Sequence, residues 1–320
     1  MSKGTNIPYE VNPELTGISL AYRNTDYIAD KVLPRVAVTQ KAFQYRLYSE
    51  KSFLTVPESE IGRTGMPNKM SLQSKLELAS LVSQSLEAEV PQEDVEEVQA
   101  SGADEDPIQD NTLLVTDGLA LSREVRCAKL LSDSSNYGKN VMTLSGTDQL
   151  TDKTSSVIDL WKDIKKGMLM PPTHAVVSDT YSLYLQTHPE FIGMFKGDNA
   201  NNKGMVPLEF IAQQLGLKEI FVGRAKVNAA NEGQEPKIED VWGRDLLFIH
   251  QNPLAKPKHG MTFGFTAQKG QRQVQTFYDG RPGSHGVNYI KAVEDVKELI
   301  AAPSCGFLIK DAFKDVFAGG

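Results

Sequence analysis

Residues 41–48 (KAFQYRLY) alternate aromatic and polar side chains, and residues 76–90 (LELASLVSQSLEAEV) are apolar with an acid-rich end. A period of two is the mark of a strand with one covered face. The stretch between them is polar and punctuated by Pro57, Gly62, Gly65 and Pro67, so the pattern predicts a long two-stranded arm closed by a broad tip. A lone hairpin is only marginally stable in water. An arm of this length therefore needs a support, either its own body or another chain.

The first 27 residues contain Gly4, Pro8, Pro13 and Gly17 and show no sustained helical stripe, which predicts an extended N-terminal arm. Residues 28–38 (IADKVLPRVAV) start as a short helical or extended lead-in. They become a strand through Pro34, which fixes its own φ and restricts Leu33 to extended conformations. Asp106 and Pro107 form a helix opening, with Asp as cap and Pro in the first turn. Leu114, Leu121, Val125 and Leu131 then keep one apolar face. A helix of about 25 residues would be roughly 37 Å long, enough to act as a spine across a flat molecule.

From Asn140 short helices and strands alternate. Residues 155–166 read as a helix and 175–177 as a buried strand; Ser178 is placed to cap a helix over 179–187 that Pro189 stops. A helix over 206–215 ends at Gly216, and strands are expected at 219–222, 240–242 and 246–250, making an α/β unit of residues 171–257. Beyond it, 262–266, 273–278 and the long alternating run 287–299 read as strands, with one more at 304–309. The second half should thus return to the element laid down before residue 140.

At 320 residues, 40% hydrophobic and 23% charged, the chain is globular and can bury one large core or two interlocked ones. No apolar run approaches the roughly 18 residues of a membrane helix, and residues 1–10 lack the basic and apolar parts of a secretory signal. No membrane partner and cytosol-like surroundings are expected. Cys127 and Cys305 allow at most one disulfide, and Cys127 falls inside a predicted helix, so buried free thiols are expected.

Charge changes the picture more. Residues 76–122 hold twelve acids and no Lys, Arg or His. With 41 acids and 34 bases in all, the other 29 acids leave the rest of the chain at +5. The acid-rich part, 87–106, reads as a solvated loop and helix start, where the backbone dipole favours acids. It also fits a surface that must not stick to polyanions, or one that docks on the basic remainder of a neighbouring copy. A sequence-reading nucleic-acid binder would carry clustered Lys and Arg, which are absent.

Catalysis finds no constellation. His174, His188, His250, His259 and His285 fall at no metal-ligand spacing and read as turn or packing residues. Gly283-Ser284-His285-Gly286 reads as a turn, because Pro282 stands where a nucleophile elbow needs Gly. Gly260, Gly264 and Gly270 are followed by no Gly-Lys-Ser or Gly-Lys-Thr, and Trp161 and Trp242 read as core anchors. No catalytic residue, cofactor or metal is expected.

In their order, these segments resemble the major capsid proteins of tailed bacteriophages with the Hong Kong 97-type fold. Residues 27–38, with ADKVLPRVAV, look like the end of that family's N-terminal arm; 41–90 look like its E-loop and 107–131 like its spine helix. Residues 171–195, with a strand, a helix and a His188-Pro189-Glu190-Phe191 turn, are similar to the start of its axial domain, and 287–299 to the long strand of its peripheral domain. The likeness spans nearly the whole chain, and the ordered set is more specific than any single motif.

The resemblance implies an α+β fold in five parts. They are an arm and lead-in strand at 1–38, an E-loop hairpin at 39–91, a peripheral domain with the spine helix at 92–169, an axial domain at 170–257, and peripheral return strands with the C-terminus at 258–320. It implies a non-enzymatic subunit of an icosahedral shell, built from hexamers and pentamers around double-stranded DNA that is touched non-specifically. An acidic stretch facing that DNA would let it slide. The E-loop would reach over a neighbouring subunit, placing Phe43, Tyr45, Tyr48, Arg63, Met66, Lys69, Glu87 and Glu89 as inter-subunit contacts. A portal is also implied, with a possible decoration protein, and the virion capsid as location after assembly in the host cytoplasm.

Some members begin with a scaffolding region that is cut away, whereas arm-like sequence starts here at Met1, which implies a separate scaffolding protein or prior processing. Some also cross-link a Lys of the E-loop to an Asn of the peripheral domain. Lys69 beside Asn68, and Asn288, lie in comparable regions, but no motif carries the match, and no cross-link is expected. Two alternatives remain: a bacterial encapsulin-like compartment shell and a soluble α/β enzyme. Encapsulins usually open with a cargo-binding helix, while residues 1–27 read as extended.

Overall fold

The computed structural model describes residues 9–22, 24–48, 59–61, 63, 65–66, 74–197, 204–230 and 233–315. The arm expected over 1–27 is not extended throughout. After a two-residue strand β1 (Glu10–Val11), helix α1 (Pro13–Ala21) forms because the Asn12 side chain accepts from the N–H groups of Glu14 and Leu15 and Pro13 occupies the first turn. Helix α2 (Ala29–Val32) and strand β2 (Arg35–Ala37) follow on either side of Pro34, as the lead-in pattern predicts.

The predicted two-stranded arm is shorter than its apolar pattern. Strand β3 (Ala42–Tyr48) pairs antiparallel with β4 (Ser74–Ser80), and the residues between them lie largely outside the described ones. After the single residue Leu81 the chain becomes β5 (Val82–Pro91), which leaves the hairpin and pairs with a different strand. The acid-rich stretch that follows, expected as a loop and helix start, holds a helix of its own, α3 (Gln92–Ser101), closed by Gly102 in the left-handed conformation (φ 68°). Spine helix α4 (Pro107–Leu131) runs 25 residues, and Asp106 caps it by accepting from the N–H groups of Ile108 and Gln109.

The buried face of α4 is rotated from the predicted stripe. It carries Thr112, Val115, Thr116, Leu119, Arg123, Glu124, Cys127, Ala128 and Leu131, while Leu114 is 66% exposed. Polar pairing makes this possible: Thr116 Oγ1 donates to Ser19 Oγ of α1 at 2.9 Å, and Arg123 and Glu124 have buried partners.

The α/β unit starts from β6 (Val141–Thr143) and helix α5 (Val157–Gly167), then β7 (His174–Ser178) and α6 (Asp179–Gln186). Ser178 does not cap α6; its hydroxyl donates to Asp240 Oδ2 at 2.6 Å instead. Pro189 does not end in a turn but opens helix α7 (Pro189–Lys196), capped by His188 Nδ1. Helix α8 (Leu208–Leu215) ends at Gly216 as expected. Strands β8 (Glu219–Gly223), β9 (Lys226–Asn228), β10 (Ile238–Asp240) and β11 (Leu246–Ile249) complete the unit. The strand expected at 240–242 thus lies two residues earlier, and Trp242 drops into the core.

The two strands expected at 262–266 and 273–278 are one, β12 (Gly264–Asp279), with an irregularity between Lys269 and Gln273 where Gly270 takes φ 67°. Strand β13 (Val287–Ile300) pairs antiparallel along it, and β14 (Gly306–Lys310) closes the described chain. The first sheet has the order β1-β12-β13-β5, with β2 parallel on β12. The second has the order β6-β14-β11-β7-β8, so the tail strand lies inside the sheet of the α/β unit rather than beside β12 and β13. One apolar cluster fills the α/β unit, one lies beneath α4, and one lies beneath the hairpin. A fourth joins α2 and α4 to both sheets and contains Leu33, Leu131, Trp242 and Phe263. Cys127 and Cys305 are free there, and burial pushes both thiols up to about 12.

Candidate functional site

Where lead-in, spine and both sheets meet, charged side chains gather, with Arg123 and Glu294 buried and Asp30 half exposed at the rim. Arg123 donates through Nη1 to Asp30, and through Nη2 to the Leu33 carbonyl (3.2 Å) and Thr266 Oγ1 (3.0 Å). Arg35 bridges Asp30 (2.7 Å) and Glu294 (3.1 Å), and Arg272 lies 3.5 Å from the same Glu294. Burial alone would raise the Asp30 carboxyl, but Arg123 and Arg35 hold it below the usual carboxylate range. The lead-in is fixed again at Asp117 of α4, which accepts from the Tyr22 hydroxyl (2.8 Å), Asn24 Nδ2 (3.1 Å) and the Tyr27 hydroxyl (3.2 Å). These charges face one another, so the cluster holds chain segments together and presents no nucleophile with a base.

The histidines are spread through the fold. His174 stacks on Phe221 with ring centroids 4.7 Å apart, His188 caps α7, and His285 Nδ1 lies 3.0 Å from Glu96 Oε2 of α3. Among the described residues no three His, Cys, Asp or Glu side chains gather as metal ligands.

The hairpin is supported by its own chain. Its inner face sets Phe43, Tyr45, Leu47 and Ala79 on Phe265, Ala267, Leu299 and Ala301. The Tyr45 hydroxyl donates to Glu77 Oε2 at 3.1 Å, and Tyr48 is buried with Ile28, Leu33 and Met261. The far edge of β3 is also engaged, since Arg46 N–H donates to the Pro257 carbonyl (2.8 Å) and Tyr48 N–H to that of Ala301 (3.1 Å). Of the eight residues expected at a contact with a neighbour, Tyr45 and Tyr48 are therefore packed on their own chain and Phe43 partly so. Arg63 and Met66 are exposed, Met66 at 93%, while Lys69 lies outside the described residues. Glu87 and Glu89 are exposed on β5, the outermost strand of its sheet, and Glu87 accepts from the Tyr9 hydroxyl.

The outer face of the hairpin carries what the sequence reading missed. Leu76 is 48% exposed and Leu78 72% exposed, on a strand whose inner face already covers the core. The signal was present: residues 76–82 are apolar at positions of both parities, more than one face can bury. An uncovered leucine pair on the outer face of the hairpin is suited to contact with another surface.

No family model matches the chain. It is, however, 35% identical to the major capsid protein of Pseudomonas phage JBD67 over 309 residues, which span 96% of this chain and 99% of that one. The chain belongs to the phage major capsid proteins. Solved structures give this capsid subunit its fold. A phage-related protein from Bordetella bronchiseptica superposes with a TM-score of 0.73 at 22% identity, covering 95% of this chain and 98% of that one. The capsid of cyanophage P-SCSP1u follows at a TM-score of 0.56 and 11% identity, covering 91% and 89%. The architecture is the Hong Kong 97-like one. The extended N-terminus that was to separate a phage subunit from an encapsulin does not serve, because residues 13–21 are helical; sequence identity decides the family instead.

Proposed function

We propose that this capsid subunit closes, as hexamers and pentamers, into an icosahedral head around double-stranded DNA, with residues 39–91 reaching onto a neighbouring copy. The observation that carries the reading is the Leu76 and Leu78 face, which the chain's own body leaves uncovered. Phe43, Tyr45 and Tyr48 set the pose of the hairpin from beneath, and Arg63, Met66, Lys69, Glu87 and Glu89 are assigned to the contact with the neighbour. Many modest contacts of this kind, each made effectively intramolecular by the last, give a durable closed shell. Contact with DNA is non-specific, a portal and a separate scaffolding protein complete the head, and assembly takes place in the host cytoplasm. The parts run 1–38, 39–91, 92–169, 170–257 and 258–320, with β14 contributed from the last part to the sheet of the fourth.

Electron microscopy of the chain purified from cells that also make its phage's other head proteins tests this reading. Closed, DNA-filled shells are expected; a small discrete oligomer overturns it.

A further inference from the structure

The two ends of β13 carry opposite charge. At its Val287 end, α3 is fastened to the β12–β13 turn, with Gln92 N–H donating to the Gly286 carbonyl (3.0 Å) and Asn288 Nδ2 to Gln92 Oε1 (2.8 Å). From there α3 exposes Glu93, Asp94, Glu96 and Glu97, and it contains no Lys or Arg. His285 of the turn lies against Glu93 and Glu96, which leaves Asp94 and Glu97 open.

Toward the Ile300 end, the base of the hairpin and the loop before β12 border an open groove of about 350 Å³. Val38 and Phe43 line it together with Lys256, Lys258 and His259, and no acid does. Both lysines are exposed, and neither is ion-paired among the described residues. The hydrogen bonds from Arg46 to Pro257 and from Tyr48 to Ala301 hold the groove at this end.

The groove begins opposite Val296, where Val38 N–H donates to the carbonyl of Gln268, so nine extended residues of β13, roughly 30 Å at about 3.3 Å per residue, separate it from the Val287 end. The screening length at physiological salt is about 8 Å, so the patches are electrostatically invisible to each other within one chain. Between copies they are complementary. A head-to-tail contact joins unlike surfaces and closes into a ring when its rotation closes, which is the geometry a capsomer needs.

We propose that the acidic helix α3 of one copy docks on the Lys256, Lys258 and His259 groove of the next. The proposal rests on the shell reading and gives that shell one specific contact. It assigns the acid-rich segment to a protein partner and makes assembly sensitive to salt.

Two double variants of the full chain test it: Lys256→Glu with Lys258→Glu, and Asp94→Lys with Glu97→Lys. Each should keep the parent's circular dichroism and melting temperature but lose particles, and all four changes in one chain should restore them. Either double variant assembling like the parent at the same salt overturns the contact, as does a combined variant no better than its halves. If the parent itself forms no shell, the shell reading fails instead. A cysteine pair covers a variant that does not fold. Glu97→Cys with Lys258→Cys should give a ladder of linked chains when assembled particles are oxidised, because Cys127 and Cys305 are buried and the two positions are too far apart to join within a chain. A monomer band alone overturns the proposal.

Discussion

Glu124 of the spine helix accepts the indole N–H of Trp242 at 2.7 Å, and both side chains are buried. The same carboxylate accepts the backbone N–H groups of Ile28 (2.9 Å) and Ala29 (2.8 Å), so one side chain ties lead-in, spine and α/β unit together. Burial pushes this carboxyl above its usual range although all three donors pull it down. Glu124→Ala leaves three buried donors without an acceptor, at about 1–3 kcal/mol each. Urea unfolding of the unassembled subunit should show a loss on the order of 3 kcal/mol or more. Glu124→Gln keeps one acceptor oxygen and should cost less; equal losses would contradict this account.

Asp30 adds a small, pH-dependent share of the subunit's stability. Its carboxyl is held below the usual range by Arg123 and Arg35 in spite of burial, so it adds stability above its unfolded value of about 3.9. That stability is lost as pH falls through the lower folded value. Asp30→Asn should melt below the parent at pH 7, with the gap closing as the pH falls below the unfolded value of about 3.9. The side chain is half exposed, so solvent screening keeps the gap small. A gap unchanged across that range would show that Asp30 acts through packing alone.

Gly223 on β8 leaves room for the Trp242 ring. A Cβ there would stand 2.0 Å from the ring's Cδ1, so Gly223→Ala should displace the indole and break its bond to Glu124. A loss of about 2–3 kcal/mol and a shifted tryptophan emission are expected. Gly118→Ala is the contrast: its Cβ meets only the tip of Leu86, which is partly exposed and can rotate. Alanine favours the helix by about 1 kcal/mol over glycine, so this change should be neutral or stabilising.

The outer leucines of the hairpin separate folding from assembly. Leu76→Ser with Leu78→Ser should leave stability within about 0.5 kcal/mol per site, since both are exposed, and should lose particle yield. Tyr45→Ala, on the inner face, should instead cost about 3 kcal/mol in the isolated subunit. Particles formed by the leucine variant at the parent's yield would remove this face from the shell contact.

The spine helix was legible because its signals are local: Asp106 caps it, Pro107 opens it, and apolar residues persist along it. The alternation in β13 and the left-handed Gly216 after α8 were legible for the same reason. Pro13 and Gly17 read in sequence as breakers, yet Pro in the first turn under an Asn cap starts a helix. Helix α3 escaped because Val95 is its single buried residue. Residues 76–90 read as one strand because alternation does not say which partner a strand will choose, and the choice changes at Leu81. The buried Arg123 and Glu124 are invisible too, since their partners lie ninety or more residues away in the chain. The proposed contact face is the least legible part. Apolar residues that serve a neighbour look the same in sequence as those that serve the core.

Leu81 is the one residue between β4 and β5, and its N–H donates to the Lys41 carbonyl at 2.8 Å. The hairpin and the first sheet therefore share a single continuous length of backbone, pivoted at a buried residue. A load placed on the leucines of the hairpin is delivered as torque to β5 and through it to β13, with no loop between to absorb it. On the proposed contact with a neighbour, each subunit is a lever whose fulcrum is Leu81, the single residue between the hairpin and the first sheet.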